Sequence, residues 1–406
     1  MKLRFRLAFS IGIVYIRLAA KAGALWPLPG ACRSEDDLER MQQMIDTLGA
    51  VSRVMREPAT FSEYVIQQIA VGLLNGPPLR SDVMAGFPRL MNRMVECEKM
   101  RARARDERGV HVPAVLFLAV TGRCNLRCRH CYTQRYARED MSLALARRIL
   151  SEAHELGVAL VVVSGGEPLL YRDFFAIPRE MPDVPFLVFT NGAHVRGFLE
   201  AGLESPNLFW LVSVDGPREW NDARRGPGSY DAAIAAMDAI EAARLPLGFS
   251  ATLSGDNVAA ATPEFVASLA ARGCRSGYFL EQIPSPASDP PLSDLISEQL
   301  EACRREARLP LIGFPADEVR FGGCQAGGNG IAHVSPDGFL EPCPAARLAA
   351  DSLVEVSLET ALTSPFIKEF RDLKERHSTG HEACSYGEHR ETFEGALARY
   401  GARSTV

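Results

Sequence analysis

Cys124, Cys128 and Cys131 stand in the run Cys124-Asn125-Leu126-Arg127-Cys128-Arg129-His130-Cys131, just after an apolar stretch that ends at Thr121. The spacing supplies three thiolates. A closed structural zinc site takes four ligands, whereas an iron–sulfur cubane on three cysteines leaves one iron free to bind something else. A zinc knuckle built from Cys128 and Cys131 with a distant pair is another reading, and three unrelated thiols is a third. An open iron at the carboxyl end of a strand would be a reaction centre.

Thiols of this kind need a scaffold, and the chain's periodicity predicts one. Strand-like runs at 115–121, 159–164, 185–191, 208–215, 246–253 and 277–283 alternate with helix-like segments at 142–156, 172–180, 195–203, 230–244, 263–272 and 292–308. That alternation predicts an α/β fold with a parallel sheet. In α/β barrels the chemistry sits on loops at the carboxyl ends of the strands. The cysteine loop, Gly165-Gly166-Glu167-Pro168, Thr190-Asn191-Gly192 and Ser213-Val214-Asp215-Gly216 all fall at such ends. Alone, Gly-Gly-Glu-Pro and Thr-Asn-Gly are turn sequences and nothing more.

A chain of 406 residues with 47% hydrophobic content can bury a large core in two or three domains. Its net charge of −5 offers no basic field for nucleic acid. Ten cysteines favour metal sites over disulfides in a reduced, cytoplasmic setting. Cys32, Cys97, Cys274 and Cys303 fall outside the two ligand sets and read as packed thiols.

The cysteine spacing, with a Gly-Gly-Glu-Pro turn at this distance after it, resembles the radical S-adenosylmethionine (radical SAM) superfamily. The resemblance implies a partial TIM barrel, (β/α)6, over residues 112–310. It implies a catalytic [4Fe-4S] cluster on Cys124, Cys128 and Cys131. The open iron would chelate the amino and carboxylate groups of SAM, and an electron from the cluster would cleave the sulfonium to a 5′-deoxyadenosyl radical that takes hydrogen from a substrate. A reductant such as ferredoxin or flavodoxin is the implied partner. Gly165, Gly166 and Glu167 would meet the SAM amino group, since glycine admits close backbone approach and a carboxylate suits an ammonium. Asn191, Ser213 and Asp215 would line the pocket for SAM or substrate. Arg225 would pair with the SAM carboxylate as a bidentate fork. A loop salt bridge between Asp215 and Arg225 is the plain alternative.

The C-terminal hundred residues hold a second set. Ser335-Pro336-Asp337-Gly338 is a turn between short apolar runs and predicts a hairpin that brings Cys324 and Cys343 together, with Cys384 returning as a third thiol. The spacing from Gly338 to Cys343 resembles the SPASM and twitch domains of extended radical SAM enzymes. The resemblance implies a small α+β module over 311–406 with an auxiliary [4Fe-4S] cluster on Cys324, Cys343 and Cys384. With so few cysteines after Cys343, one such cluster is the ceiling; its fourth ligand would be substrate or a side chain such as His381. A degenerate module without metal is the alternative.

Residues 1–111 read as a helical N-terminal extension. Residues 1–28 combine Lys2, Arg4 and Arg6 with a short apolar run broken by Arg17 and Lys21, too short to span a bilayer. A basic helix on the inner membrane surface and a helix packed against the barrel are both open. The charged stretch 98–108 reads as a solvated helix end, and 284–291, with four prolines, as a rigid connection. The substrate is expected to be a small molecule, a cofactor or a lipid-like compound. Peptide or protein modification is the alternative within the family, and a non-catalytic zinc protein the alternative outside it.

Overall fold

The structure is a computed structural model that describes residues 57–282, 293–307, 309–377 and 384–405. Residues 1–28, Cys32, 284–291 and His381 lie outside the described residues, with the readings attached to them.

Seven parallel strands form the body of the sheet: β1 (Val115–Thr121), β2 (Leu160–Gly165), β3 (Phe186–Thr190), β4 (Leu208–Ser213), β5 (Leu247–Leu253), β6 (Gly277–Glu281) and β7 (Leu311–Phe314). They lie side by side in chain order. A hairpin of β8 (Ile331–Val334) and β9 (Leu340–Glu341) continues the sheet past β1, with β8 parallel to β1 and β9 antiparallel to β8. The strands are buried almost throughout, as a sheet covered on both faces requires.

The sheet curls. Phe117 on β1 and Phe314 on β7 belong to opposite ends of the seven-strand run, yet their rings meet at 6.4 Å; Phe189 on β3 and Tyr278 on β6 meet at 6.3 Å. These contacts mark the concave face of a partial barrel. Helices cover the convex face, among them Leu143–Leu156, capped by Ser142 and ended by Gly157 at φ +96°. The helix Phe61–Asn75 lies against the amino ends of the strands: the hydroxyl of its Tyr64 donates to the Leu311 carbonyl, and Arg275, just before β6, donates to the carbonyls of Leu73 and Pro77.

The expected six-unit barrel is one strand short of the observed one. Leu311–Phe314 pairs with β6 and belongs to the sheet, so the sheet runs past residue 310, and the hairpin expected in a separate module joins the same sheet. Four apolar residues carry too little periodicity to stand out in a sequence. A helix at Arg218–Arg225 also lies where no element was expected, and the expected helix at 172–180 is confined to Ala176–Glu180. The charged stretch 98–108 ends the long helix Ser81–Arg108.

All nine described cysteines are free, and Cys97, Cys274 and Cys303 are buried. Among the described residues no helix is long and apolar enough to cross a membrane.

Candidate functional site

The loop after β1 carries the cysteine triplet and is closed at its base. Gly122 N–H donates to the Glu139 carbonyl at 2.9 Å, and Met141 N–H to Val120 at 2.9 Å. Arg123 clasps Asp140 through Nε at 2.9 Å and Nη2 at 2.6 Å, and the Thr121 hydroxyl reaches the same carboxylate at 2.6 Å. Within the loop, His130 adopts φ +56°, a left-handed turn rare for residues other than glycine. The Gln134 side chain donates to the Cys128 carbonyl. Leu126 N–H points at Cys124 Sγ from 3.4 Å, and the Thr133 hydroxyl meets Cys131 Sγ at 3.2 Å.

Gly165 and Gly166 sit against this loop. A Cβ on Gly165 would fall 2.3 Å from the Thr121 carbonyl oxygen, and one on Gly166 would fall 2.1 Å from that of Arg123. Gly166 and Glu167 donate their amides to those same carbonyls, each at 2.8 Å. What the glycines approach so closely is therefore the backbone of the cysteine loop. Gly166→Ala is expected to push the loop off β2 at a cost of about 1–3 kcal/mol. The variant should still fold with reduced thermal stability and bind less iron on anaerobic reconstitution. Unchanged iron content would show that the loop tolerates the shift.

Glu167 is buried, and both of its carboxylate oxygens accept hydrogen bonds from within the fold. Oε1 accepts from the Thr190 hydroxyl at 2.7 Å and Leu169 N–H at 3.2 Å; Oε2 accepts from Asn191 N–H at 2.8 Å. Burial pushes its pKa up to about 6 against these bonds, which favour the charged form. Glu167 thereby ties the ends of β2 and β3 together and aims Asn191. The Asn191 amide in turn donates to Asn125 Oδ1 at 2.8 Å and lies 4.0 Å from Cys124 Sγ.

At the end of β4, Asp215 is fully enclosed by donors. Arg225 grips it through Nε at 2.6 Å and Nη2 at 2.9 Å, Arg224 adds a bond at 3.0 Å, and Thr252 N–H another at 2.8 Å. The salt bridge that the sequence left as the alternative is thus present and occupies the Arg225 fork. A bidentate grip on a SAM carboxylate is not available from this arrangement. The cluster instead reaches the cysteine loop: Arg129 N–H donates to the Arg224 carbonyl at 2.8 Å, and both guanidiniums act on Cys128. Ser213 bonds the facing Ser250 hydroxyl at 3.0 Å.

The structure also brings the second set together. The amide of Gly327 donates to the Pro342 carbonyl at 3.0 Å, joining the Cys324 and Cys343 segments, and the thiols of Cys324, Cys343 and Cys384 lie within electrostatic reach of one another. The Pro-Asp-Gly turn closes as a hairpin, with Gly338 at φ +87° and Ser335 Oγ accepting from Phe339 N–H.

Between the two thiol sets lies a buried network that no sequence pattern marked. His333 Nδ1 meets Glu341 Oε2 at 2.5 Å, the Tyr136 hydroxyl donates to the same carboxylate at 3.2 Å, and the Tyr136 ring stacks on His333 at 6.4 Å. His333 is in register with Phe117 and so projects from the concave face; its Nε2 has no hydrogen-bond partner among the described residues.

The donor chemistry fits a cluster. Burial pushes the Cys124 and Cys324 thiols up to about 11, so each needs a neighbouring cation to become a thiolate, and bound iron supplies one. Arg224 and Arg225 beside Cys128 add positive charge where three thiolates would gather. Among the described residues no three Cys, His, Asp or Glu side chains converge on a point as one metal ion requires.

The sequence matches the radical SAM superfamily over residues 118–260. It is 31% identical over 160 residues to the pre-heme d1 synthase of Dinoroseobacter shibae, covering 38% of this chain and 39% of that protein. It is 32% identical over 138 residues to a mycofactocin maturase of Mycolicibacterium smegmatis, covering 32% of this chain and 35% of the relative. Each match spans well under half of the relative's length. In fold the chain is similar to SuiB of Streptococcus suis, solved with S-adenosylmethionine, at a TM-score of 0.55 and 17% identity, covering 71% of this chain and 74% of that one. The segment 118–260 thus matches a superfamily that implies a [4Fe-4S] cluster and SAM, and it lies on the curled parallel sheet that the chain shares in fold with SuiB.

Proposed function

We propose that this protein is a radical SAM enzyme whose catalytic [4Fe-4S] cluster rests on Cys124, Cys128 and Cys131, and that it acts on a small molecule or cofactor. The observation that carries the proposal is the placement of three thiols on one closed loop at the carboxyl end of β1, seated on Gly165 and Gly166 at the end of β2. When bound, such a cluster supplies one electron for the cleavage of SAM to methionine and a 5′-deoxyadenosyl radical, which takes a hydrogen atom from the substrate. The chain's own residues hold that chemistry in place. Glu167 fixes Asn191 beside Cys124, the Asp215–Arg224–Arg225 cluster pins Cys128, and the covered sheet excludes water. Asn191 and Ser213 remain pocket candidates, and Gly165, Gly166 and Glu167 shape the pocket wall. A ferredoxin or flavodoxin would deliver the electron. A second [4Fe-4S] cluster, in a twitch-like module that begins after β7, would rest on Cys324, Cys343 and Cys384.

Anaerobic purification tests this reading. The protein should be brown, with about four iron and four sulfide per cluster, and should cleave SAM once reduced. Colourless protein with stoichiometric zinc would sink it.

Peptide modification is the second reading, favoured by the match to a mycofactocin maturase. The synthase match, of similar identity, favours a small cofactor instead.

A further inference from the structure

Three cysteines leave the second cluster one ligand short, and a side chain that the sequence did not mark stands beside them. Resting on the second-cluster reading above, we propose that Glu318 supplies the fourth ligand, an oxygen, and closes that cluster against substrate.

Glu318 lies in the turn Ala316–Phe321, which leads through Gly322 and Gly323 directly into Cys324. It is only 4% exposed. Its carboxylate turns back to the cysteine's own segment: Oε2 accepts from the amide of Gln325, the residue after Cys324, at 2.7 Å, while the Glu318 backbone carbonyl accepts from Gly323 N–H at 3.0 Å. Those bonds hold the carboxylate against the segment that carries Cys324. It lies within electrostatic reach of Cys324, Cys343 and Cys384 alike.

Burial of a carboxylate is costly unless it is paired or coordinates a metal. The cation nearby is Lys374, itself 5% exposed, but its ammonium donates to the Ala326 carbonyl at 3.3 Å rather than to the carboxylate. Lys374 acts on both Cys324 and Glu318, so it offsets the charge of the whole site rather than of one partner. Three thiolates and a carboxylate facing a cationic cluster, with one buried ammonium behind them, form a balanced set. An oxygen ligand also gives an iron a different electronic environment from its three thiolate-bound neighbours. That difference is measurable.

The test uses the full-length chain with Cys124, Cys128 and Cys131 all changed to alanine, reconstituted anaerobically with iron and sulfide so that only the second site is filled. The parent should hold about four iron per chain and resist added cyanide. Glu318→Gln should change the electron paramagnetic resonance spectrum of the reduced cluster, shift its midpoint potential and allow cyanide to bind. Glu318→Cys, which restores a ligand of ordinary cluster chemistry, should keep the iron and show a third spectrum. If Glu318→Gln does not fold, Glu318→Cys decides alone. Four irons with a parent-like spectrum and potential in either variant overturn the ligand assignment while leaving the cluster standing. A parent that binds no iron overturns the second cluster itself, and the assignment with it.

Discussion

Cys128→Ala should abolish SAM cleavage altogether. Of the three thiols on the β1 loop, Cys128 is the most constrained: its carbonyl takes bonds from the Gln134 side chain and the Cys131 amide, and Arg224 and Arg225 act on its sulfur. No neighbouring thiol stands ready to replace it, since the described cysteines outside the two sets are buried elsewhere, with Cys97 bonded to Val158 and Cys303 to Ala261. A cubane reduced to two protein ligands is lost or degraded. Iron should fall from about eight to about four per chain if both sites are filled. Methionine and 5′-deoxyadenosine, quantified after reduction, should fall to background. Cys343→Ala should behave differently. It breaks the second set and should leave some cleavage of SAM, uncoupled from substrate turnover. Full activity in both variants would refute the division of labour between the two sites.

The part of the site that was legible in the sequence is the part written in local spacing. Thiols three and four residues apart, glycines in a tight turn and apolar runs of strand length are all visible within a short window. The roles of several residues were not, because distant segments decide them. Gly165 and Gly166 read as space for a ligand, but the backbone they clear is that of Thr121 and Arg123, more than forty residues earlier. Glu167 read as a partner for an ammonium, yet its oxygens are occupied by Thr190 and Asn191 on the next strand. β7 was too short to register, and β8 joined β1 across most of the chain. His333, Glu341 and Tyr136 meet only because the hairpin extends the barrel sheet beside the cysteine loop. Glu318 had no motif at all; burial next to Cys324 is its only signal.

Asp215 is where that long-range packing should be most expensive to disturb. Its carboxylate has no exposure, and the two guanidiniums on it are 12% and 11% exposed. Asp215→Ala would leave Arg224 and Arg225 buried side by side without a counter-charge and the Thr252 amide without an acceptor. Breaking a buried ion pair on one side costs about 3–5 kcal/mol. For a chain of this size the expected fall in melting temperature is roughly 5 °C. Burial alone would raise the Asp215 carboxyl, but Arg225 and Arg224 outweigh it and hold it below the usual range. The native state therefore binds fewer protons there than the unfolded chain. The stability Asp215 contributes is complete above the ordinary carboxylate pKa of about 3.9 and is lost only as pH falls below that. Glu167 has the opposite sign, since its raised value near 6 means that stability declines as pH rises from 4.5 towards 6. Asp215 is fully ionised well below pH 6, and Glu167 is present in parent and variant alike, so the deficit of Asp215→Ala in apo protein should be the same at pH 6.5 and pH 8. Because Arg129 hangs from Arg224 by its backbone, the variant should also load less iron on the Cys124–Cys131 loop. A deficit that grows with pH over that range, or unchanged stability with full iron loading, would mean that the cluster of charges is decorative and the loop is held by its base alone.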